Sequence, residues 1–560
     1  MTKMSVAVPG AQNFFTGKIQ STPTIREKFL YIKPKTFYIM KIEVTGEPEI
    51  HIDLMSPHGG YDYAEQEMVI PAGPKHGEYR LFFNSENAPS TPVLFRIFFA
   101  DSRPVSIYSI NLLMIPNWCS MVSNGLLGLM AIAGLIFIFC GLSDMHVRIG
   151  FLIFIIGIFM SYHLPVNPLQ GDNQNYCMVA QSLLSDSDIF LNEFSTRLEH
   201  NNFYGIVNEN GKLYNLFPLG PSIVLAPLYA LIRINGDIPP ENAEILSGKI
   251  ATAVCFGSAL MLFFFLVSHF EDVGRSKALL LTFIFGFCSH QFSQHLGMFW
   301  SHNAVMPFIL TALLLLKMER REFVFFAGTV VVFGYMMRPT VALFVPITMV
   351  WLWLYRRQDV GFFVAGCSIA GILVASVNLS FYGHIISPYS QISRLRLSFP
   401  SFINALIGNL FSPNRGLFVF MPWALFSMYG IWLSIRTRID PFYRLIAIIF
   451  LLHLIIVSSF PHWWGGWSYG PRLLVETMPL LVLLLLPFLS SQIWRRRSVK
   501  LFFITALVFS LFVQIGGLTE SAAEWNGTPI NVDKNSSRIW NWSDMQFMRP
   551  LKVLIISQWH

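Results

Sequence analysis

Charge is what this sequence has least of. Asp, Glu, Lys and Arg make up 13% of its 560 residues, against 53% hydrophobic residues, and that ratio excludes a soluble globular fold. Cysteine is scarce too. Cys119, Cys140, Cys177, Cys255, Cys288 and Cys367 fall mostly in or beside apolar runs and show no metal-binding or redox spacing. The sequence has neither a phosphate-cradling P-loop nor a dinucleotide fingerprint, which argues against a nucleotide-driven pump and against direct use of nucleotide-sugars. Nor does the net charge of +7 gather into a nucleic-acid-binding patch.

What the chain does have is a succession of apolar runs, and about 20 helical residues cross a hydrocarbon core. Twelve spans are expected, near 121–142, 147–164, 246–269, 276–289, 301–317, 323–337, 340–355, 359–380, 417–435, 442–459, 474–493 and 500–517. Cationic residues collect in short connectors, Lys317 to Arg321, Arg356-Arg357, Arg436 to Arg438 and Arg495 to Arg497, which places those connectors in the cytoplasm. The loops after 164, 289, 380 and 459 and the tail 518–560 then share the opposite face. The expected fold is a polytopic α-helical membrane protein whose transmembrane part covers 116–517.

Residues 1–115 differ in kind. Short alternating runs, Phe37 to Val44, Glu49 to Leu54, Tyr79 to Phe83 and Val93 to Phe99, are punctuated by glycine, proline and asparagine, a pattern that predicts an all-β sandwich of jelly-roll outline. The topology puts this domain outside the cytoplasm, as a structural cap or a carbohydrate-binding module. No signal peptide or membrane segment precedes it in this sequence, so either the following helix translocates it or the true start lies upstream and supplies one more span, and the upstream span is the favoured expectation.

The longest outer connection, 165–245, is the most informative. Gly171 to Tyr176 (GDNQNY) brings Asp172 close behind the span 147–164. A carboxylate at that depth needs water, a cation or a substrate to face, unless it is a solvated loop Asp capping a helix over 173–184. Asn210-Gly211 with Lys212 predicts a turn. Tyr214 to Pro221 then leads into a short apolar segment ending near Leu231, which reads as an interfacial or re-entrant helix.

In order, GDNQNY, NGKLYN and FPLGPSIVLAPLYAL resemble the first outer loop of bacterial integral-membrane glycosyltransferases of the GT-C superfamily, related to the protein mannosyltransferase and aminoarabinose transferase group. The resemblance continues through Phe292 to His302, Arg338-Pro339, Tyr382-Gly383, Asn409 to Pro422, Trp464 to Arg472 and Arg538 to Arg549, covering about 145 to 550. It implies a sugar donor on a polyprenyl phosphate and a catalytic or metal-binding acid at Asp172. It also implies a multi-pass protein of the bacterial inner membrane with its site on the periplasmic face. Many members carry a second acid, whereas here amides follow Asp172 and histidines occupy 292–302, so a divalent cation is only weakly supported.

Such chemistry needs an acceptor hydroxyl deprotonated and the departing phosphate stabilised. One carboxylate does the first task, and a phosphate leaving group needs little protonation, unlike glycoside hydrolysis with its paired carboxylates. Asp172 as base with inversion at the anomeric carbon is the simplest scheme. The acceptor is a glycan, lipid or protein. Arg338, Arg415 and Arg472 are the candidate phosphate ligands on the outer face, each equally readable as a snorkelling or lipid-bound arginine. Tyr176 follows the acid within the same motif. His295 and His302, seven residues apart, suit hydrogen bonding to substrate better than zinc, since no third ligand is identifiable, and a buried polar role is the blander alternative. Trp464, Trp467 and Tyr469 can stack on sugar faces or simply anchor the interface. A transporter or flippase for lipid-linked substrates, or a ligase or polymerase of lipid-linked glycans, is the competing reading. The first predicts midplane charges and two related halves.

Overall fold

The computed structural model describes residues 144–551 apart from 165–171, 196–197, 199–204, 210, 234–239, 272, 295–298, 319 and 391–398, and, before them, the backbone of eight strands. The expected span 121–142 lies outside the described residues. Two compact units divide the chain, 1–133 and 134–560.

In the first unit the strands are β1 (Ala11–Gln20), β2 (Arg26–Leu30), β3 (Phe37–Gly46), β4 (Ile50–Met55), β5 (Met68–Ile70), β6 (Lys75–Asn84), β7 (Val93–Phe99) and β8 (Val105–Ile115). They form two four-stranded sheets, ordered β1-β8-β3-β6 and β2-β7-β4-β5. All pairings are antiparallel, with Ile39 opposite Phe82 and Ile52 opposite Ile97.

The second unit is mostly helical. Among the described residues, five helical stretches are long and apolar enough to cross a membrane, Met145–His163, Asn242–Ser268, Arg357–Tyr382, Arg472–Leu489 and Arg497–Gly516, and five shorter apolar helices accompany them. The second unit is that of a multi-pass membrane protein. Small residues let the helices approach. A Cβ on Gly257 would stand 2.6 Å from the Phe154 carbonyl, where Pro240–Ser268 crosses Met145–His163. One on Gly366 would overlap the Phe325 carbonyl, where Val360–Tyr382 packs on Arg321–Met337. In hydrocarbon, where apolar burial gives no net drive, such close packing supplies the attraction between helices.

Three of the basic connectors, those at 317–321, 356–357 and the loop 436–441, meet in space. Lys317 Nζ lies 2.6 Å from Asp440 Oδ2, and Arg356 donates to the Leu316 carbonyl and to Asp359. The apolar run 474–493 is not one helix. It folds as a 3-10 turn Arg472–Thr477 followed by Met478–Leu483 and Leu485–Leu489, with Pro479 and Pro487 removing amide donors. It is nonetheless the most enclosed of the candidate spans, so most of the side chains it carries face other protein.

The connection 165–245 contains a helix Asp172–Ser185 and an antiparallel hairpin of β9 (Ile206–Glu209) and β10 (Lys212–Asn215). At its turn Gly211 takes φ +79°, a conformation that side chains with a Cβ avoid. The helix Gly220–Arg233 buries Gly220, Pro221, Ser222, Leu225, Ala226 and Tyr229 along one face. A Cβ on Gly220 would meet the Met336 carbonyl at 2.6 Å, so this helix starts directly against the segment that ends in Arg338. A helix with no counterpart in the expected set, Phe399–Phe411, buries Ala405, Gly408 and Asn409 and leaves Phe399 and Phe411 exposed.

Candidate active site

Asp172 is the first residue of its helix, where the unpaired amides of the first turn favour an acid. Its Oδ2 accepts a hydrogen bond from Arg472 Nη2 at 2.9 Å. Both side chains keep an opening to the outside, at 16% exposure for Asp172 and 13% for Arg472, so the pair is reachable, unlike everything behind it. Arg472 follows Gly470-Pro471, where Gly470 takes φ +52°. Its guanidinium carbon stands 4.2 Å from the centre of the Trp300 ring, a cation–π contact that holds the fork in plane.

Behind this pair lies a buried ionisable group. Arg472 Nε donates to His302 Nε2 at 3.1 Å. His302 Nδ1 lies 3.0 Å from Glu476 Oε1, and Arg338 Nε also contacts that oxygen. His453 Nε2 is 3.8 Å from Glu476 Oε2 and 2.9 Å from the Leu473 carbonyl. Arg338 Nη1 donates to Ser301 Oγ at 3.0 Å. The Tyr176 ring lies edge-on to Phe217, and burial, then the neighbouring Asp172 and Tyr389, raise its hydroxyl pKa well above the usual tyrosine value. It is therefore a neutral hydrogen-bonding group at any physiological pH.

Five of the expected site residues thus converge: Asp172, Tyr176, His302, Arg338 and Arg472. His295 lies outside the described residues. The remaining four belong to a different neighbourhood. Arg415, expected at a donor phosphate, donates from Nε to the Trp464 carbonyl, from Nη1 to the Asn414 carbonyl and Gln546 Oε1, and from Nη2 to the Gly466 carbonyl and Asn526 Oδ1. Those contacts use the guanidinium's five N–H groups, and the residue is 1% exposed. Trp464 donates to Asp533 at 2.8 Å and Trp467, half exposed, to Asn531. Tyr469 is buried, with its hydroxyl on the Val513 carbonyl at 2.6 Å and its ring beside His290. This second neighbourhood clasps the C-terminal tail to the loops around Arg415 and Trp464.

Glu476, Ser301, His453 and Trp300 complete the first site and were not singled out in the sequence. Glu476 had a signal: it is an isolated acid in the apolar run Leu473 to Leu489, and such acids mark function by default. Among the described residues no cluster of three or more His, Cys, Asp or Glu side chains is set to hold a metal ion. Among the described residues Asp172 faces a guanidinium and not a second acid, a donor set that does not fit a divalent cation.

No protein-family model matches the sequence, and no curated protein is significantly similar to it. Among solved structures, the chain is similar to the Archaeoglobus fulgidus oligosaccharyltransferase tethered with an acceptor peptide containing the NVT sequon, at 11% identity and TM-score 0.45 over 70% of this chain and 59% of that one. The apo form of that enzyme gives 10% identity and TM-score 0.42, over 71% and 60%. ArnT from Cupriavidus metallidurans, bound to undecaprenyl phosphate, gives 13% identity and TM-score 0.41, with 68% of each chain covered. Both enzymes are GT-C glycosyltransferases. The chain spans about three-fifths of the oligosaccharyltransferase's length.

Proposed function

We propose that this protein is a membrane glycosyltransferase that moves a sugar from a polyprenyl-phosphate donor to a glycan, lipid or protein acceptor at the periplasmic face of a bacterial inner membrane. The observation that carries this reading is the partly exposed Asp172–Arg472 pair at 2.9 Å, a base and a phosphate ligand side by side at the mouth of an otherwise enclosed charge group. The donor phosphate takes the Arg472 fork, because bidentate guanidinium–phosphate contact is a favoured charge-assisted geometry. That exchange releases the Asp172 carboxylate to accept the acceptor hydroxyl's proton. The hydroxyl oxygen then forms the new bond to the anomeric carbon as the bond to phosphate breaks, with inversion. The leaving-group charge that develops is met by Arg472, with Arg338 contributing positive charge from behind.

The twelve-span arrangement, a β-sandwich over 1–115, a transmembrane part over 116–517 and an outer tail over 518–560 belong to the same proposal. Trp464, Trp467 and Tyr469 lie in the clasp with Arg415, and in this scheme only the half-exposed Trp467 is open to a glycan acceptor.

The buried Glu476 and Arg338 are also what a transporter or flippase would need. The two readings separate on one experiment. Wild type and Asp172→Asn, in nanodiscs, receive a panel of polyprenyl-phosphate sugars, and donor consumption, product mass and anomeric configuration are followed. The transferase reading expects wild type to consume one donor with inversion and the variant to bind it without turnover. Equal consumption by both proteins overturns Asp172 as the base. Movement of lipid across a bilayer without consumption makes the protein a flippase.

A further inference from the structure

Two arginines adjacent in the chain, Arg356 and Arg357, end up in opposite surroundings. Arg356 turns inward, donating from Nε to Asp359 Oδ2 at 2.7 Å and from Nη1 to the Leu316 carbonyl at 2.9 Å. Arg357 is exposed, and its guanidinium carbon stands 4.1 Å from the centre of the Trp353 ring. Among the described residues that ring is its one partner; no carboxylate and no hydrogen bond engages it. Trp353 is itself 54% exposed, and Val350 and Leu354, also exposed, share its side of the helix Phe344–Tyr355 by their spacing of three and four residues. An apolar outward stripe that ends in an indole carrying a cation matches the boundary between hydrocarbon and lipid headgroups.

Arg321 reaches the same place from the start of the helix Arg321–Met337. Its Nη2 donates to Gln358 Oε1 at 2.6 Å, next in the chain to Arg357, and its Nε is 3.6 Å from Asp359 Oδ1. More than half of the Arg321 side chain stays exposed. The acids nearby leave positive charge over. Asp359 is buried and already faces Arg356 and Arg321. Glu322 lies 3.9 Å from Arg320, both more than two-thirds exposed, a solvated pair of little strength.

We propose that Arg357 and Arg321 bind the phosphodiester of an anionic phospholipid, with Trp353 as the seat of the Arg357 guanidinium and Val350 and Leu354 alongside the acyl chains. Stacking on an indole covers a face of the guanidinium and leaves its edge, where the N–H donors lie, for two phosphate oxygens. A zwitterionic lipid offers the same phosphate but brings its own cation to an arginine-rich place, so the site selects anionic lipid. It shares no residue with the Asp172–Arg472 pair and does not rest on the glycosyl-transfer reading.

The test is native mass spectrometry of full-length protein in detergent, titrated with dioleoylphosphatidylglycerol or with dioleoylphosphatidylcholine. Wild type should bind phosphatidylglycerol more tightly than phosphatidylcholine. One arginine near an anionic lipid surface is worth about fivefold in affinity, so Arg357→Gln should weaken phosphatidylglycerol binding about fivefold and leave phosphatidylcholine binding unchanged. Trp353→Leu, which keeps the apolar surface and removes the seat, should weaken it in the same direction. Both side chains are exposed, so neither variant disturbs the core. Arg275→Gln removes an exposed cation without an aromatic seat and should change nothing. Equal affinity of wild type for the two lipids overturns the proposal. So does an equal loss in Arg275→Gln and Arg357→Gln, which would show that the lipid senses overall charge and not this site. A final titration adds inorganic phosphate as competitor: retention of phosphatidylglycerol supports a lipid site, whereas its full displacement would make this a site for free phosphate and overturn the membrane partner.

Discussion

Arg472 Nη2 and Asp172 Oδ2 stand 2.9 Å apart although 300 residues separate them in the chain. The helix Asp172–Ser185 delivers the acid and the turn ahead of Met478–Leu483 delivers the guanidinium. The contact therefore reports on the closure of the whole helical unit. Lysine in place of Arg472 keeps the charge but loses the fork, the Nε bond to His302 and the stacking on Trp300. Arg472→Lys should lower kcat by on the order of 100-fold, the scale of one lost transition-state donor. Steady-state kinetics with the donor identified by the nanodisc panel check this, and near-wild-type kcat would show that Arg472 acts only as a lipid anchor.

The helix Val360–Tyr382 makes a stability prediction independent of the chemistry. A Cβ on Gly366 would overlap the Phe325 carbonyl, and one on Gly328 the Phe363 carbonyl, so the two helices touch backbone to backbone. Alanine gains up to about 1 kcal/mol of helix propensity over glycine. Overpacking of a tight contact costs about 1–3 kcal/mol, and here the obstacle is backbone, which cannot rotate away. Gly366→Ala should be net destabilising, and Gly371→Ala, with open space around its Cβ, neutral or stabilising. Thermal unfolding of the two variants side by side settles the sign.

Much of this architecture is legible in the sequence because apolar length and the placement of cationic connectors act locally. Asp172 and Arg472 are each conspicuous as charges beside apolar segments. Their pairing is not, because nothing in a one-dimensional pattern measures a separation of 300 residues. Arg415 illustrates the same limit in reverse. Its motif reads as an outer-face cation, while its real partners, Asn526 and Gln546, lie 111 and 131 residues away. The amphipathic helix Phe399–Phe411 escapes because only 13 residues with three buried small side chains resemble neither a span nor a loop.

Removing the Arg415 guanidinium should loosen the tail. Gln546 is held from several sides: its amide nitrogen donates to the Ser468 and Ala522 carbonyls, and its backbone N–H donates to Asn414 Oδ1 at 2.6 Å. Arg415→Met removes a donor from Asn526 Oδ1 and from the Asn414 and Gly466 carbonyls, at about 1–3 kcal/mol for each group left unpaired, while Gln546 Oε1 keeps the Gly470 N–H and the Trp464 carbonyl keeps Ser468 Oγ. The expected outcome is faster proteolysis between 526 and 546 and a lower Tm, with donor KM unchanged in whatever fraction stays folded. A large rise in donor KM without loss of stability would instead return Arg415 to the phosphate.

Acid should open the same tail by another route. Asp544 accepts from Arg549 Nε at 3.1 Å and from Arg538 Nη2 at 3.3 Å, and Arg538 in turn lies over the Trp525 ring. Burial pushes the Asp544 pKa up, but the bonds and charges of Arg549 and then Arg538 outweigh it, and the carboxyl is held below its ordinary value of 3.8. A carboxyl whose folded pKa is depressed binds more protons when unfolded, so its contribution is complete above the ordinary value and is lost as pH falls below about 4. Trp525 also donates to the Asp544 carbonyl at 2.9 Å, so its fluorescence should change as the clasp opens. The expected result is a flat signal from neutral pH down to about 5 and a transition below 4, absent in Asp544→Asn, whose tail is already weakened at neutral pH. The same acid transition in Asp544→Asn and wild type would place the sensitive carboxyl elsewhere, with Asp533, the partner of Trp464, the next to substitute.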